Sequence, residues 1–251
     1  MGATPWFDGT IVGFDLETTG LDREMDEPVS FAFAEFEFGT LTDIDEGWIM
    51  PSRSISPGAA QVHGLNKARL SDIGATTISE GIGHVSRRLR ELSELNTPIV
   101  GANLSYDLTM IDRCMRRLRS SDSLATSGWC GPAIDVLVID RAFDQNFKSR
   151  PVRTLTALCE HYGVKSQMHT ASGDATAAVE VLRAQVSRFE DLRNMDLPSL
   201  YEAQVTWHRQ WCESLSAYRV SRGRRPLDPR EGSWPFLKEV ATTGELRLFE
   251  P

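Results

Sequence analysis

Long apolar runs are missing from this 251-residue sequence, and no stretch approaches the ~20 residues that span a bilayer. The N-terminus also lacks the basic region followed by an apolar core that marks a signal peptide. Position 6 is Trp rather than Ser or Thr, so the N-myristoylation pattern is not met. These absences predict a cytoplasmic protein with no membrane partner.

Cysteine is scarce, with four residues and no C-x-x-C pair. Such wide spacing fits reduced core thiols better than a zinc site or a disulfide framework. His208 and Cys212 stand four residues apart, which could place two metal ligands on one helical face, but no second pair accompanies them. We therefore interpret that segment as an ordinary packed helix. The four cysteines are Cys114, Cys130, Cys159 and Cys212.

A surplus of positive charge is also missing, because 27 Lys and Arg face 35 Asp and Glu, for a net charge of −8. Broad non-specific binding to nucleic acid depends on neutralising phosphates, so this net charge argues against a protein that holds nucleic acid by a broad basic surface. An enzyme that grips a few nucleotides locally remains compatible with it. We interpret the arginines at 87–90 and 113–119 as solvated helix faces. Compared with those arginines, Arg222, Arg224 and Arg225 are better candidates for a phosphate contact or a partner site, because they follow a helix that carries aromatic residues.

The most informative segment present runs from Ile11 to Gly20. An apolar stretch typical of a strand buried on both faces leads into Asp15 and Glu17, just before a Thr-Thr-Gly turn. Strand residues two apart point to the same side, so the two carboxylates face one way, about 7 Å apart along the backbone. Burying both costs several kcal/mol per ion unless a cation lies between them. Two alternatives account for this pair of acids. Either a divalent metal binds between them, or the strand end frays and leaves both side chains in water.

Strands and helices alternate along the chain, which predicts an α/β fold with a mixed sheet flanked by helices. The first three strands are sequential, as in an antiparallel meander with a turn at Gly39-Thr40, and Ser105 is the expected N-cap of a later helix. The predicted strands are 10–16, 28–39, 40–50, 98–102 and 133–138. The predicted helices are 78–95, a segment through 118, a segment through 143, 154–162, a segment after 174 and a long amphipathic one from about 197 to 221.

Two further acids, Asp107 and Asp174, each stand at the head of a helical apolar stripe, and His169 precedes the second by five residues. Four carboxylates and one imidazole form the set needed for two-metal phosphodiester hydrolysis. Oxygen ligands hold two hard cations roughly 4 Å apart, and these stabilise the attacking and leaving oxygens. A neutral histidine can take the proton of the attacking water.

Four motifs occur in order, in consistent structural context, across roughly residues 8–190. Together they resemble the DEDDh 3′–5′ exonucleases, the DnaQ-like group of the ribonuclease-H-like superfamily. One departure is Thr170, which follows the histidine where the family often has Arg. The motifs read Phe14-Asp15-Leu16-Glu17-Thr18-Thr19-Gly20, Val62-His63-Gly64-Leu65, Val100-Gly101-Ala102-Asn103-Leu104-Ser105-Tyr106-Asp107, and His169 to Asp174.

The resemblance implies a ribonuclease-H-like mixed sheet, with three sequential antiparallel strands and then parallel strands. It places an exonuclease domain at 8–190, followed by a C-terminal long helix and tail at 191–251. It also implies two divalent cations, Mg²⁺ or Mn²⁺, and release of nucleoside 5′-monophosphates from a single-stranded 3′ end. Carried over by position, the metal ligands are Asp15, Glu17, Asp107 and Asp174, the general base is His169, and the substrate contacts are Thr18 and His63.

We expect DNA as the substrate, in a proofreading-type or stand-alone trimming role. An exoribonuclease of similar build is an alternative, because the choice depends on 2′-hydroxyl contacts. A catalytically silent module that docks on a polymerase through the C-terminal helix is another, although all five catalytic-type residues are present. The same helix is a candidate for self-association. His63 has the alternative of merely capping a helix. We interpret Trp207 and Trp211 as packing rather than as a base-stacking platform.

Overall fold

A computed structural model describes most of the chain. The predictions made for Arg119, Cys130 and the tail at 240–251 lie outside the described residues. The described ranges are 5–118, 123–125, 131–144, 153–165 and 169–239.

A mixed sheet of six strands forms the centre of the described fold. Its strands are β1 (Thr10–Thr18), β2 (Pro28–Glu37), β3 (Thr40–Met50), β4 (Thr76–Thr77), β5 (Ile99–Gly101) and β6 (Ala133–Asp135). They lie in the order β4-β3-β2-β1-β5-β6. The first three pair antiparallel, and β5 and β6 continue parallel to β1, which confirms the predicted meander followed by parallel strands. The short β4, parallel to β3, was not predicted.

Helices cover both faces of the sheet. They are α1 (Pro57–His63), α2 (Lys67–Asp72), α3 (Ile78–Glu94), α4 (Leu104–Arg117), α5 (Val136–Phe143), α6 (Leu155–Tyr162), α7 (Ala171–Arg188), α8 (Glu190–Arg193) and α9 (Leu197–Ser221). One apolar core lies between the sheet and α3 with α4, and another lies between the sheet and α5, α6 and α7. No helix in the described ranges is long and apolar enough to cross a membrane.

Strand alternation decides which way the acidic pair points. Val12, Phe14 and Leu16 are buried in the core beneath α3 and α4, whereas Ile11 belongs to the core beneath α7. Because successive strand residues alternate between faces, Asp15 and Glu17 share the side of Ile11. The two carboxylates therefore face α7.

The start of α4 differs from the prediction. Asn103, with φ of 65°, is its N-cap, and Ser105 lies buried inside the first turn, so the expected N-cap role of Ser105 is wrong. The reason is Asp135, whose carboxylate accepts from the backbone N–H groups of Asn103 and Leu104 at 3.2 and 3.0 Å. A side chain from the neighbouring strand thus satisfies amides that Ser105 was expected to serve.

The same carboxylate shortens the last predicted strand. β6 ends at Asp135 rather than at residue 138, because Asp135 also accepts from the N–H groups of Leu137 (2.9 Å) and Val138 (3.4 Å) and so caps α5. The β2–β3 hairpin turns one residue earlier than predicted, through Phe38 and Gly39, where both φ angles are positive.

The long helix α9 covers the outer edge of β6. The Gln204 side chain accepts from the Asp135 N–H at 2.7 Å and donates to the Ala133 carbonyl at 3.0 Å, so it satisfies backbone groups of an edge strand. Trp207 lies edge-on against Phe143, with ring centroids 5.4 Å apart. These contacts agree with the interpretation of Trp207 as packing.

His208 and Cys212 both contact the segment that follows α9. His208 Nε2 and the Cys212 thiol both bind the Glu231 carbonyl, at 2.8 and 3.2 Å, as expected for an ordinary packed helix. Cys114, Cys159 and Cys212 are free and buried, which confirms the prediction of reduced core thiols for the three described cysteines.

Gly13 lets α7 approach β1 closely. A Cβ at this position would lie 2.2 Å from the carbonyl oxygen of Ala175, one residue after Asp174. The obstacle is backbone, so it cannot be relieved by a change of rotamer. The absence of a side chain at Gly13 therefore fixes how near Asp174 can come to the acids of β1.

Gly13→Ala is accordingly expected to lower the free energy of unfolding by about 2 kcal/mol or more, because α7 has to move away from β1. Chemical denaturation measures the change. Gly83→Ala is the matched control, because its Cβ would meet nothing within 4 Å and it lies within α3. The control should be unchanged or slightly more stable. A Gly13→Ala protein as stable as the parent would contradict the close approach.

Candidate active site

Asp15, Glu17 and Asp174 converge where β1 meets the first turn of α7. Each offers a carboxylate oxygen, and the three oxygens lie within 4.8 Å of one another. Within the described ranges, this is the group of His, Cys, Asp and Glu side chains that could share a metal ion. Residues 159 positions apart in the chain are thus brought together by the packing of α7 on β1.

The N-terminus of α7 positions both Asp174 and His169. Thr170 is the N-cap, and its hydroxyl accepts from the Gly173 N–H at 3.1 Å. Asp174 lies in the first turn, where the helix dipole favours a carboxylate. The backbone N–H of His169 reaches Asp174 Oδ1 at 3.4 Å, and His169 has φ of 68°, an uncommon conformation for a non-glycine residue. This conformation holds the imidazole-bearing residue directly beside the acidic group.

Asp107, the fourth predicted ligand, is buried in the first turn of α4. The backbone of Leu16 hydrogen-bonds its carboxylate, and its charge raises the pKa of Asp15. It is outside the three whose oxygens lie mutually within 4.8 Å. The structure therefore brings Asp107 beside the cluster without placing it in the closest group.

Burial and mutual repulsion raise the pKa values of these acids. Burial is the largest cause of the raised pKa of Asp15, followed by the charges of Asp107, Asp174 and Glu17. Burial and the charge of Asp174 raise the pKa of Glu17 to about 7. Burial also raises the pKa of Asp174, which the His169 N–H and ring partly oppose.

This donor set fits a hard divalent cation. Carboxylate oxygens are the ligands that Mg²⁺, Mn²⁺ and Ca²⁺ prefer, and a bound cation reverses the repulsion that raises the pKa values of the acids. No thiol or ring nitrogen belongs to the close group within the described ranges. The structure thus suggests the use of a divalent metal at Asp15, Glu17 and Asp174.

Thr18 and the turn after it form one wall of a groove beside Glu17. The Thr18 hydroxyl donates to the Gly20 carbonyl at 2.8 Å, and the Tyr106 hydroxyl donates to the same carbonyl at 2.5 Å. Thr18 Oγ1 also lies 3.1 Å from the Tyr106 hydroxyl. The groove has a volume of 380 Å³ and is lined partly by Leu21 and Val62, whose side chains are exposed. Tyr106 therefore braces the turn that shapes this groove.

His63 lies in the wall of the same groove, but both of its ring nitrogens are occupied. Nε2 donates to the Thr18 carbonyl at 3.2 Å, and Nδ1 accepts from the Leu65 N–H at 3.0 Å. Gly64, with φ of 71°, turns the chain so that this second bond forms at the end of α1. Burial lowers the pKa of His63. A substrate contact therefore remains a prediction, and it would have to use the ring carbons.

His169 is exposed beside the acids. It lines a 230 Å³ cavity together with Glu17, His63, Trp48 and Arg69. This location leaves the imidazole accessible to water and adjacent to the carboxylate cluster. Its role as a general base stays a prediction.

The sequence predicted the charged residues of the site but not the residues that support them. Tyr106 was noted only as part of a motif, and Gly13 and Asp135 were not singled out. Asp135 did carry a signal, since it follows a short buried apolar run as Asp15 does. Gly13 interrupts an apolar strand, which is a known mark of close backbone approach.

Comparison with known proteins identifies the domain. The family model RNase_T, described as exonuclease, matches residues 12–182. The PolC-type DNA polymerase III of Bacillus subtilis is 26% identical over 242 residues, which cover 96% of this chain and 15% of the polymerase. The corresponding protein of Thermotoga petrophila is 25% identical, over 79% of this chain and 14% of its own length. The chain thus spans about a seventh of these relatives.

Solved structures with the same fold include Exonuclease I from two bacteria. The E. coli enzyme in complex with a 5cy-dT13 oligonucleotide superimposes with a TM-score of 0.62 and 18% identity, covering 84% of this chain and 45% of that one. The Methylocaldum szegediense enzyme gives 0.59 and 18%, covering 84% and 46%. The fold is therefore ribonuclease-H-like. With the match over residues 12–182, the chain belongs to the RNase_T exonuclease family, in the DnaQ-like group.

Proposed function

We propose that this chain is a 3′–5′ exonuclease that releases nucleoside 5′-monophosphates from single-stranded DNA. The observation that carries the proposal is the close approach of three half-buried carboxylates, from β1 and α7, at the edge of an open groove. Four acids of the proposed set carry raised pKa values, which is typical of a site built for a cation rather than for solvent.

Asp15, Glu17, Asp107 and Asp174 would hold two Mg²⁺ or Mn²⁺ ions. Such ions, when bound, stabilise the developing charge on the attacking and leaving oxygens of the scissile phosphate. The contribution of the chain is to hold the four carboxylates in one place. Gly13 supports this because its lack of a side chain lets α7 pack closely on β1. Asp135 supports it because its carboxylate caps the start of α4.

His169 would act as general base, accepting the proton of the attacking water at a ring nitrogen. Its exposure in the cavity beside Glu17 leaves room for that water. The Asp174 carboxylate accepts a hydrogen bond from the backbone N–H of His169. The same few residues at the N-terminus of α7 would therefore hold both the base and one metal ligand.

The terminal nucleotide would occupy the groove beside Thr18. Leu21 is 90% exposed and Val62 is 55% exposed, so the groove offers apolar surface against which a base can stack. The turn from Thr18 to Gly20 is held rigid by Tyr106. His63 would add its ring face to the opposite wall.

A role on DNA is favoured by the relatives, which are named as DNA polymerases, and by the Exonuclease I structures, which are named as complexes with DNA oligonucleotides. We propose an exonuclease domain at 8–190 and an extension at 191–251 whose long helix braces β6. Proofreading beside a polymerase and stand-alone trimming both fit this arrangement. An exoribonuclease and a silent polymerase-associated module are the competing outcomes of the test.

The test is release of nucleotides from 5′-labelled single-stranded DNA and RNA in Mg²⁺, in Mn²⁺ and in EDTA. We expect a ladder that shortens from the 3′ end of DNA, 5′-monophosphates as products, and no reaction in EDTA. A 3′-phosphorylated DNA serves as the blocked control. Faster loss of RNA would assign an exoribonuclease. Binding without hydrolysis would assign the silent module, and hydrolysis in EDTA would contradict the metal-dependent mechanism.

A further inference from the structure

A second cavity, separate from the Thr18 groove and from the cavity that His169 lines, borders the other two acids of the carboxylate group. Its volume is 400 Å³, and Asp15 and Asp174 form part of its lining. The lining also includes Arg141 and Arg153. Glu17 thus borders the Thr18 groove and the His169 cavity, whereas Asp15 and Asp174 border the second cavity.

The two cavities differ in charge. The Thr18 groove is lined by small and apolar residues, one acid and the neutral His63, and no Lys or Arg from the described part of the chain lines it. The second cavity is lined by two arginines, Arg141 and Arg153, in addition to Asp15 and Asp174. A 3′-terminal nucleoside has a base and only one phosphate, so the apolar groove suits it. A strand that continues in the 5′ direction carries a phosphate at every step, so the cavity with the arginines suits that strand.

Arg141 is the arginine with free donors. Arg153 donates to Asp140 at 2.6 Å and to the Asp144 carbonyl at 2.5 Å, which fixes it in the protein. In the described ranges, no hydrogen bond or ion pair involves the guanidinium of Arg141, which stacks on the Trp211 ring at 3.9 Å.

The two carboxylates that attract Arg141 electrostatically already accept hydrogen bonds from other groups. Asp135 caps two helices, and Asp140 binds Arg153 and accepts from the Tyr162 hydroxyl at 2.7 Å. The charge of Arg141 is therefore available in the cavity. A planar guanidinium with unoccupied N–H groups is well suited to bind a phosphate.

We propose that this second cavity holds the strand immediately 5′ of the scissile phosphate, and that Arg141, positioned by Trp211, binds a backbone phosphate there. The inference rests on the proposed exonuclease activity and adds a specificity contact to it. It also gives α9 a part in substrate binding, because the aromatic face that orients Arg141 belongs to that helix.

The experiment compares two substrates that share the terminal nucleotide. One is a single-stranded oligothymidylate. The other is the p-nitrophenyl ester of thymidine 5′-monophosphate, in which p-nitrophenol replaces the 5′ strand, so no phosphate reaches the second cavity. For Arg141→Gln we expect KM for the oligonucleotide to rise about 10- to 100-fold, the range for a lost charge-assisted hydrogen bond. Kinetic constants for the ester should change by less than about threefold.

Three further variants make the comparison specific. Arg141→Lys keeps the charge and should recover part of the oligonucleotide KM. Trp211→Leu keeps Arg141 but removes its stacking partner, and should raise the same KM by a smaller factor. Arg87→Ala removes one positive charge from an exposed position on α3 and should leave both substrates unchanged. The salt dependence of oligonucleotide binding should weaken in Arg141→Gln and not in Arg87→Ala.

The outcomes separate this inference from the proposed function. If the parent cleaves neither substrate, the exonuclease proposal fails. If the parent cleaves both and Arg141→Gln affects neither, or impairs both equally with a lowered thermal midpoint, Arg141 is structural and the inference is overturned.

Discussion

Asp15→Asn is expected to abolish nucleotide release, with no detectable turnover in Mg²⁺ or Mn²⁺. Asp15 belongs to the close carboxylate group, and burial and then the charges of all three other acids raise its pKa. An amide offers a neutral oxygen in place of a charged one, so the site loses affinity for a hard cation. Turnover should be lost with every substrate, including the p-nitrophenyl ester.

The same substitution should leave the metal-free protein as stable as the parent, or more stable. Without a cation, Asp15 is a half-buried acid among like charges, and the amide removes that repulsion. One kcal/mol corresponds to about 2–4 °C in Tm for a domain of this size. We therefore expect Tm in EDTA to be unchanged or a few degrees higher, and the rise in Tm on adding Mn²⁺ to be lost.

The pH dependence of stability gives a second readout. Glu17 has a pKa of about 7 in the folded protein against an ordinary 4.5, so the folded state keeps a proton that the unfolded state releases. The free energy of unfolding in EDTA must then fall as pH rises from 4.5 to about 7. Asp15, whose pKa is also raised, contributes a fall of the same sign, and Asp15→Asn should make this dependence shallower.

Thermal unfolding in EDTA and in Mn²⁺, from pH 4 to pH 8, measures both effects. Asp43→Asn is the matched control, because it makes the same charge change at an exposed position on β3. It should keep activity and the full response to Mn²⁺. An Asp15→Asn protein that unfolds at clearly lower temperature than the parent in EDTA would contradict the view of Asp15 as a repelled carboxylate.

His169→Ala is expected to slow hydrolysis by roughly 10²–10⁴-fold while leaving metal affinity nearly unchanged. The side chain is exposed beside Glu17 and is outside the close carboxylate group. Loss of the imidazole therefore removes a proton acceptor and no ligand.

Single-turnover hydrolysis and Mn²⁺ titration measure the two quantities separately. His84→Ala is the control, since His84 is a part-exposed histidine that binds Asp45 at 2.8 Å. It should match the parent in rate and in Mn²⁺ affinity. Parallel loss of rate and Mn²⁺ affinity in His169→Ala would mean that His169 is a metal ligand.

The central strand and its acids could be predicted because they depend on local rules. An apolar run followed by acids two apart fixes both the strand and the common direction of Asp15 and Glu17. The helical stripe after Asp174 likewise indicates an acid at the start of α7. The sequential strands and the family resemblance predict an antiparallel meander followed by parallel strands, and the structure confirms this while adding the unpredicted edge strand β4.

What escaped prediction depends on contacts between distant parts of the chain. Asp135 replaces Ser105 at the start of α4 and shortens β6, and nothing near either position in sequence indicates that the two loops meet. The occupied nitrogens of His63 depend on Thr18, which is 45 residues away. The stacking of Arg141 on Trp211 depends on α9 returning to α5.

The most direct test of the account is an anomalous difference map, measured at the manganese edge, from crystals grown with Mn²⁺ and thymidine 5′-monophosphate. We predict two peaks about 3.5–4 Å apart, the usual spacing of two-metal sites. They should be coordinated by Asp15, Glu17, Asp107 and Asp174, with the nucleotide base in the Thr18 groove. No peak at these carboxylates, or peaks bound elsewhere with the four side chains apart, would contradict the account.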